Sequence, residues 1–109
     1  MTETRTITLS TGRRVTLYDV VKGVPEMADT WYFRFVDPQF GPDADPDRLG
    51  PELDELCNSV ALPEVAQDVA RITIALSDRE VPFGAAAPQA HQVFEAYSVR
   101  QDTCQWEPF

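Results

Sequence analysis

Two cysteines, one histidine and a run of closely spaced aspartates are the side chains of this chain best suited to thiol, imidazole or cation chemistry. A pair of thiols such as Cys57 and Cys104 has two fates. They join in an oxidising compartment, or they stay buried and inert in a reducing one. A catalytic thiol needs a basic neighbour, and Cys57 has only Leu53, Leu56 and Val60 at helical spacing around it. Asp43, Asp45 and Asp47 repeat the D-x-D-x-D opening of a calcium loop, with Asp54 at its twelfth position. The likeness then fails. Arg48 stands where the loop needs glycine, Gly50 where it needs an apolar side chain, and the last ligand is a short Asp rather than a bidentate Glu. Those four carboxylates make a weak, irregular cation candidate at best, and a polar turn-rich loop is the simpler reading. His91 stands alone, so there is no multi-histidine metal site, and no G-x-S-x-G serine exists for it to serve. It reads as a surface residue. The five glycines are isolated beside turns, which excludes a phosphate-cradling loop. No catalytic set, resident metal or cofactor is called for.

Charge narrows the partners. Nine basic residues face 18 acidic ones, a net of −9. Residues 37–68 alone hold nine acids (Asp37, Asp43, Asp45, Asp47, Glu52, Asp54, Glu55, Glu64 and Asp68) against Arg48. A field this one-sided excludes nucleic acid and anionic membrane surfaces, and it suits a protein partner with a basic surface. The bland reading is a solvated face that maintains solubility. No apolar run approaches a membrane span of ~18 residues, so membrane insertion is not expected. The opening MTETRTITLS lacks the apolar stretch of a signal peptide. The chain is therefore cytoplasmic, or a mature form with a new initiator Met.

These residues must be positioned by a scaffold, and 109 residues suffice for one core, a single domain over 1–109. PELDELCNSVAL, residues 51–62, carries the one clear helical period: Leu53, Leu56, Cys57 and Val60 share a face. Glu52, Asp54, Glu55 and Asn58 are expected to face water. Pro51 suits the first turn of that helix, Pro63 closes it, and PEVAQDVA (residues 63–70) reads as a further helical turn with Pro63 at its start. Ahead of the helix the chain alternates as strands do. Thr4–Leu9 and Val15–Lys22 read as a hairpin about Gly12, with Val15, Leu17 and Val21 on one face and Tyr18 and Val20 on the other. Residues 23–29 read as a loop. Thr30–Val36 then places Trp31, Phe33 and Phe35 on one side of a central strand.

Asp37–Gly50, with three prolines and four aspartates, reads as a long loop, either functional or mobile. After the helix, Arg71–Ser77 is a core strand and residues 78–90 a loop. Phe94–Arg100 and Cys104–Phe109 form a second hairpin. The expected fold is α+β: a small antiparallel sheet of five to six strands in β-β-β-α-β-β-β order, with one main helix packed on it. If the helix face and the Cys104 face both point inward, the sulfurs can meet and tie helix to last strand. A bridge closing nearly half the chain would contribute about 4 kcal/mol by loop entropy.

The segments LDELCNSVALPEVA, RITIALSDREVPFG and QVFEAYSVRQDTCQWEPF resemble those of a family of small alphaproteobacterial proteins classed as a domain of unknown function. The likeness spans roughly residues 30–109 and rests on Cys57, Leu76-Ser77-Asp78, Phe94-Glu95-Ala96-Tyr97 and the terminal Cys104-x-Trp106-Glu107-x-Phe109. Members that carry export signals imply a mature, periplasmic or secreted form and favour the Cys57–Cys104 bridge. The family implies no activity.

Three functions follow as expectations. The first is a non-enzymatic accessory domain, exported, that offers Asp43, Asp45, Asp47, Glu52 and Glu55 to a basic protein partner. The second is a small-ligand binder or enzyme with a pocket under the aromatic strand, lined by Trp31, Tyr97 and Trp106. The third is an acidic mimic of a polyanion that inhibits a basic protein, which requires free thiols.

Overall fold

Alternation in the first third of the chain yields three strands, β1 (Arg5–Thr8), β2 (Arg14–Val24) and β3 (Met27–Val36). The computed structural model describes residues 5–107. Thr4, expected at the head of β1, and Pro108 and Phe109, expected at the end of the last strand, lie outside these residues. β1 and β2 pair antiparallel from Arg5–Leu17 to Thr8–Arg14, about a turn in which Gly12 takes φ +93°. The expected loop at 23–29 is instead a tight hairpin, with Val24 paired to Met27. Gly23 makes it possible. Its φ is +86°, and a Cβ there would lie 2.9 Å from the Ala28 carbonyl oxygen.

Helix α1 (Pro46–Leu56) starts five residues before the expected Pro51, inside the segment read as loop. Asp45 caps it by accepting the Asp47 N–H at 3.0 Å, and Pro46 fills the first turn, where no N–H is needed. Pro51 therefore sits inside the helix. It occupies the exposed side, where the carbonyl it leaves unpaired can meet water. The helix runs on through a π turn at Cys57–Ala61 and a 3-10 turn at Leu62–Glu64. The further helical turn expected after Pro63 does not extend beyond Glu64. Val65 is extended (φ −80°, ψ 151°), because the chain must reach the next strand.

That strand is β4 (Arg71–Ser77), followed by β5 (Gln92–Arg100) and β6 (Thr103–Glu107). Gln101 and Asp102, both at positive φ, make the turn between the last two. The six strands lie in sequence order, and the fold is α+β with the expected succession of elements. One pairing departs from a wholly antiparallel sheet. β3 and β4 are parallel, in register from Thr30–Arg71 to Val36–Ser77. The helix carries the chain back along the length of the sheet, so β4 starts at the same end as β3.

One face of the sheet carries the helix. Val15, Leu17, Phe33, Phe35, Ile72, Ile74, Leu76 and Tyr97 meet Leu53, Leu56, Cys57 and Val60 there, all buried. On β2 the expected faces exchange halfway. A bulge between Leu17 and Asp19 adds a residue, so Val20 opposes Phe33 toward the helix while Val21 opposes Tyr32 on the far face. A strand's faces alternate residue by residue, and one inserted position reverses all that follow. The far face is not simply wet. Arg34 is buried there, with Nη1 donating to Asp19 at 2.8 Å and Nη2 to the Val81 carbonyl at 2.6 Å. Its guanidinium lies 5.3 Å from the ring centres of both Tyr18 and Phe83, so Arg34, with the Tyr18 hydroxyl bonded to Val81, clasps the 78–90 loop onto the sheet.

Candidate functional site

Helix α1 presents three lanes, and each meets a different surrounding. The core lane of Leu53, Leu56 and Cys57, continued by Val60, is the apolar face described above. Toward the β1–β2 turn, Glu52 and Glu55 form a second lane. Asp47, Pro51, Asp54 and Asn58, at helical spacing, form a third that is exposed to solvent.

The second lane corrects an expectation. Glu52 does not face water: it is 3% exposed. Arg13 Nε donates to both of its oxygens at 3.1 Å, and the Thr11 hydroxyl donates to Oε2. Arg13 Nη1 also donates to Asp37 Oδ2 at 2.7 Å, and Asp37, likewise buried, accepts the Gln39 N–H at 2.9 Å. Glu55 is half-buried and accepts the Ser10 N–H at 3.1 Å on each oxygen. One guanidinium thus stands between two buried carboxylates and locks hairpin turn, β3 end and helix together. Burial alone would lower the Arg13 pKa. The hydrogen bonds and charges of Asp37 and Glu52 outweigh it, and the net shift is upward. Spacing could not reveal this triad. Its members come from three elements and look like ordinary surface charges.

Beside the triad lies an open groove of about 760 Å³, walled by Thr6, Thr16, Arg14, Arg48 and Asp43. Its charges are mixed rather than acidic. Of the other expected contact residues, Asp43, Asp45 and Asp47 are exposed at the helix entry, and Asp54 is exposed on the third lane. Asp45 serves as the cap, and Asp47 and Asp54 belong to the helix rather than to a loop that could wrap an ion. Among the described residues no cluster of three or more His, Cys, Asp or Glu is arranged to hold a metal. His91 is half-buried, not free at the surface, with its ring 4.7 Å from that of Phe40.

Among the described residues, the three side chains expected to line one pocket under the aromatic strand divide between two hollows. Trp31 lines a hollow of about 360 Å³ with Val20 and Lys22, whereas Tyr97 and Trp106 line a separate one beside the helix. Ile72, fully buried on β4, stands between Trp31 and Tyr97 in the register of the sheet.

Cys57 and Cys104 are joined, with Cα atoms 6.1 Å apart. Next to the bridge, Asn58 Oδ1 accepts the Cys104 N–H and its Nδ2 donates to the Asp54 carbonyl, both at 3.0 Å. No described helix is long and apolar enough to cross a membrane.

Comparison with known proteins agrees with the resemblance to an uncharacterised family and extends it to the N-terminal hairpin. The chain belongs to the family of unknown function DUF6497, which matches residues 1–109. No curated protein and no solved structure matches it.

Proposed function

Within that family we propose that this chain is a non-catalytic, exported binding domain, and that the exposed lane of α1 docks a protein partner with a basic surface. The observation that carries the reading is the contrast between lanes. Glu52 and Asp37 are neutralised by Arg13 and buried, while Asp47 and Asp54 on the exposed lane, and Asp43 just ahead of the helix, stand in solvent and make no ion pair with a basic residue among the described residues. Unpaired carboxylates on one side of a helix steer a cationic surface by long-range attraction and select against anionic ones. Glu52 and Glu55 drop out of the proposed contact set, being committed to Arg13 and to the Ser10 N–H. Export is supported by the disulfide, which persists in oxidising compartments such as the periplasm or the extracellular space. The same bond weighs against the cytoplasmic inhibitor.

The test is capture from envelope extract on immobilised oxidised protein, run beside the Asp43→Asn/Asp47→Asn variant. We expect a basic protein that the wild type retains, that salt elutes, and that the variant releases. Equal retention by both would remove the acidic lane from the interface.

A further inference from the structure

The third lane ends at a hollow of about 210 Å³ between the helix and the edge strand. It is lined by Gly50, Pro51 and Asp54 on one side and Glu95, Tyr97 and Trp106 on the other. Tyr97 and Trp106 are cross-strand partners on β5 and β6, and Glu95 precedes Tyr97 by two residues on the same face. Tyr97 forms the floor at 1% exposed, with Asp54 lining the same hollow. Trp106 forms the wall at 55% exposed, with its indole N–H donating to Glu95 Oε2 at 2.6 Å. That bond fixes the edge of the indole and leaves its face uncovered. A Cβ on Gly50 would touch nothing within 4 Å, so the helix side of the hollow is open where a side chain could have closed it.

The chemistry of the lining is specific. Two carboxylates converge on an aromatic pair, and neither Asp54 nor Glu95 has a Lys or Arg within ion-pair distance among the described residues. The other indole shows what is missing. Trp31 carries the Lys22 ammonium 5.3 Å from its ring centre, and the arginines Arg13 and Arg34 sit in the same way over Phe40, Tyr18 and Phe83. Trp106 has no cation over it among the described residues.

We propose that this hollow receives one arginine side chain from the basic partner, stacked on Trp106 and hydrogen-bonded to Asp54 and Glu95. The inference rests on the acidic lane being the docking face, and it supplies that face with an anchor. Guanidinium suits the site better than ammonium. It is planar, so it covers an indole while its edge donates to carboxylates, and it sheds water more readily. Tyr97 keeps the floor dry, which strengthens each of these contacts.

The test follows the two indole N–H resonances by NMR, assigned through Trp31→Phe, while the full oxidised protein is titrated with a capped hexapeptide alternating glycine and arginine. The citrulline counterpart, isosteric but uncharged, is the control. The expected result is saturable movement of the Trp106 signal by the arginine peptide below about 1 mM, at the weak end of specific recognition. Citrulline should give at least tenfold less, and Glu95→Gln, which itself shifts the Trp106 N–H by changing its acceptor, should weaken arginine binding severalfold while the Trp31 signal stays native. Absence of movement, or equal movement with citrulline, overturns the arginine site. If that happens while Asp43→Asn/Asp47→Asn still abolishes partner capture, the anchor falls and the docking lane stands. If the peptide binds as expected but capture is indifferent to the lane, the anchor stands without it.

Discussion

The two flanks of α1 are held by opposite means. On the hairpin flank, Arg13 bridges Asp37 and Glu52, and Glu55 takes the Ser10 N–H, so side chains close over one another and every carboxylate has a donor. On the β6 flank the hold is one covalent bond, Cys57–Cys104, with Asn58 beside it. A lock built from charges works only when the charges are enclosed, and enclosure removes them from any partner's reach. A covalent staple acts at one point. The helical turn preceding it can stand off the sheet, and the hollow between Asp54 and Trp106 is the result. The flank with the strongest single bond is thus the one with surface left to offer.

Three perturbations break this comparison at different points. The largest effect is expected for the staple. Reduction, or Cys57→Ser with Cys104→Ser, should lower stability by about 4 kcal/mol in urea unfolding, since the bond closes a loop across 47 positions. Reductant should leave the serine variant unchanged. A loss under about 1 kcal/mol would mean that the hairpin flank alone holds the helix.

Next comes the charge lock. Arg13→Met strands Asp37 and Glu52 as buried carboxylates without their counter-charge, and should cost about 3 kcal/mol at neutral pH. Adding Glu52→Gln should recover part of it by removing one of the two anions. If the double variant is no better than the single, the arginine acts by packing and the lock is not electrostatic.

The smallest effect is at the floor of the hollow. Burial first, and then the Asp54 carboxylate, push the Tyr97 phenol well above its ordinary range. A pKa raised in the fold means that this contribution is complete below about pH 10, where the unfolded tyrosine ionises, and is lost as pH rises beyond it. Unfolding free energy should therefore fall on the alkaline side of pH 10. Tyr97→Phe should flatten that slope at a cost of about 1 kcal/mol near neutrality. An unchanged alkaline limb would place the titrating group elsewhere.

Much of this was legible beforehand, but unevenly. Arg71–Ser77 was read with the bounds it has, because a run of alternating β-branched residues between turns admits few other readings. Leu53, Leu56, Cys57 and Val60 read as the core lane and are buried; that lane allows Cys57 either to join Cys104 or to stay an inert thiol, and the structure joins them. Pro51, with the carboxylates of Glu52, Asp54 and Glu55 after it, looks as much like a helix opening as Asp45-Pro46 does, and the true start is the earlier one. Only the cap geometry separates them. Glu52 was assigned to water by its type, and a buried carboxylate is legible only together with the Arg13 that neutralises it.

Neighbours along the chain suffice to set strand and helix periods, turn glycines, the apolar lane and the sign of the field. Tertiary structure decided what depends on parity and on distant partners. A single bulge reversed the faces of β2, the helical return made β3 and β4 parallel, and three elements brought Arg13, Asp37 and Glu52 together. Local periodicity is encoded every few residues. A contact across tens of residues is encoded only in the free energy of the whole packing, and no spacing reports it.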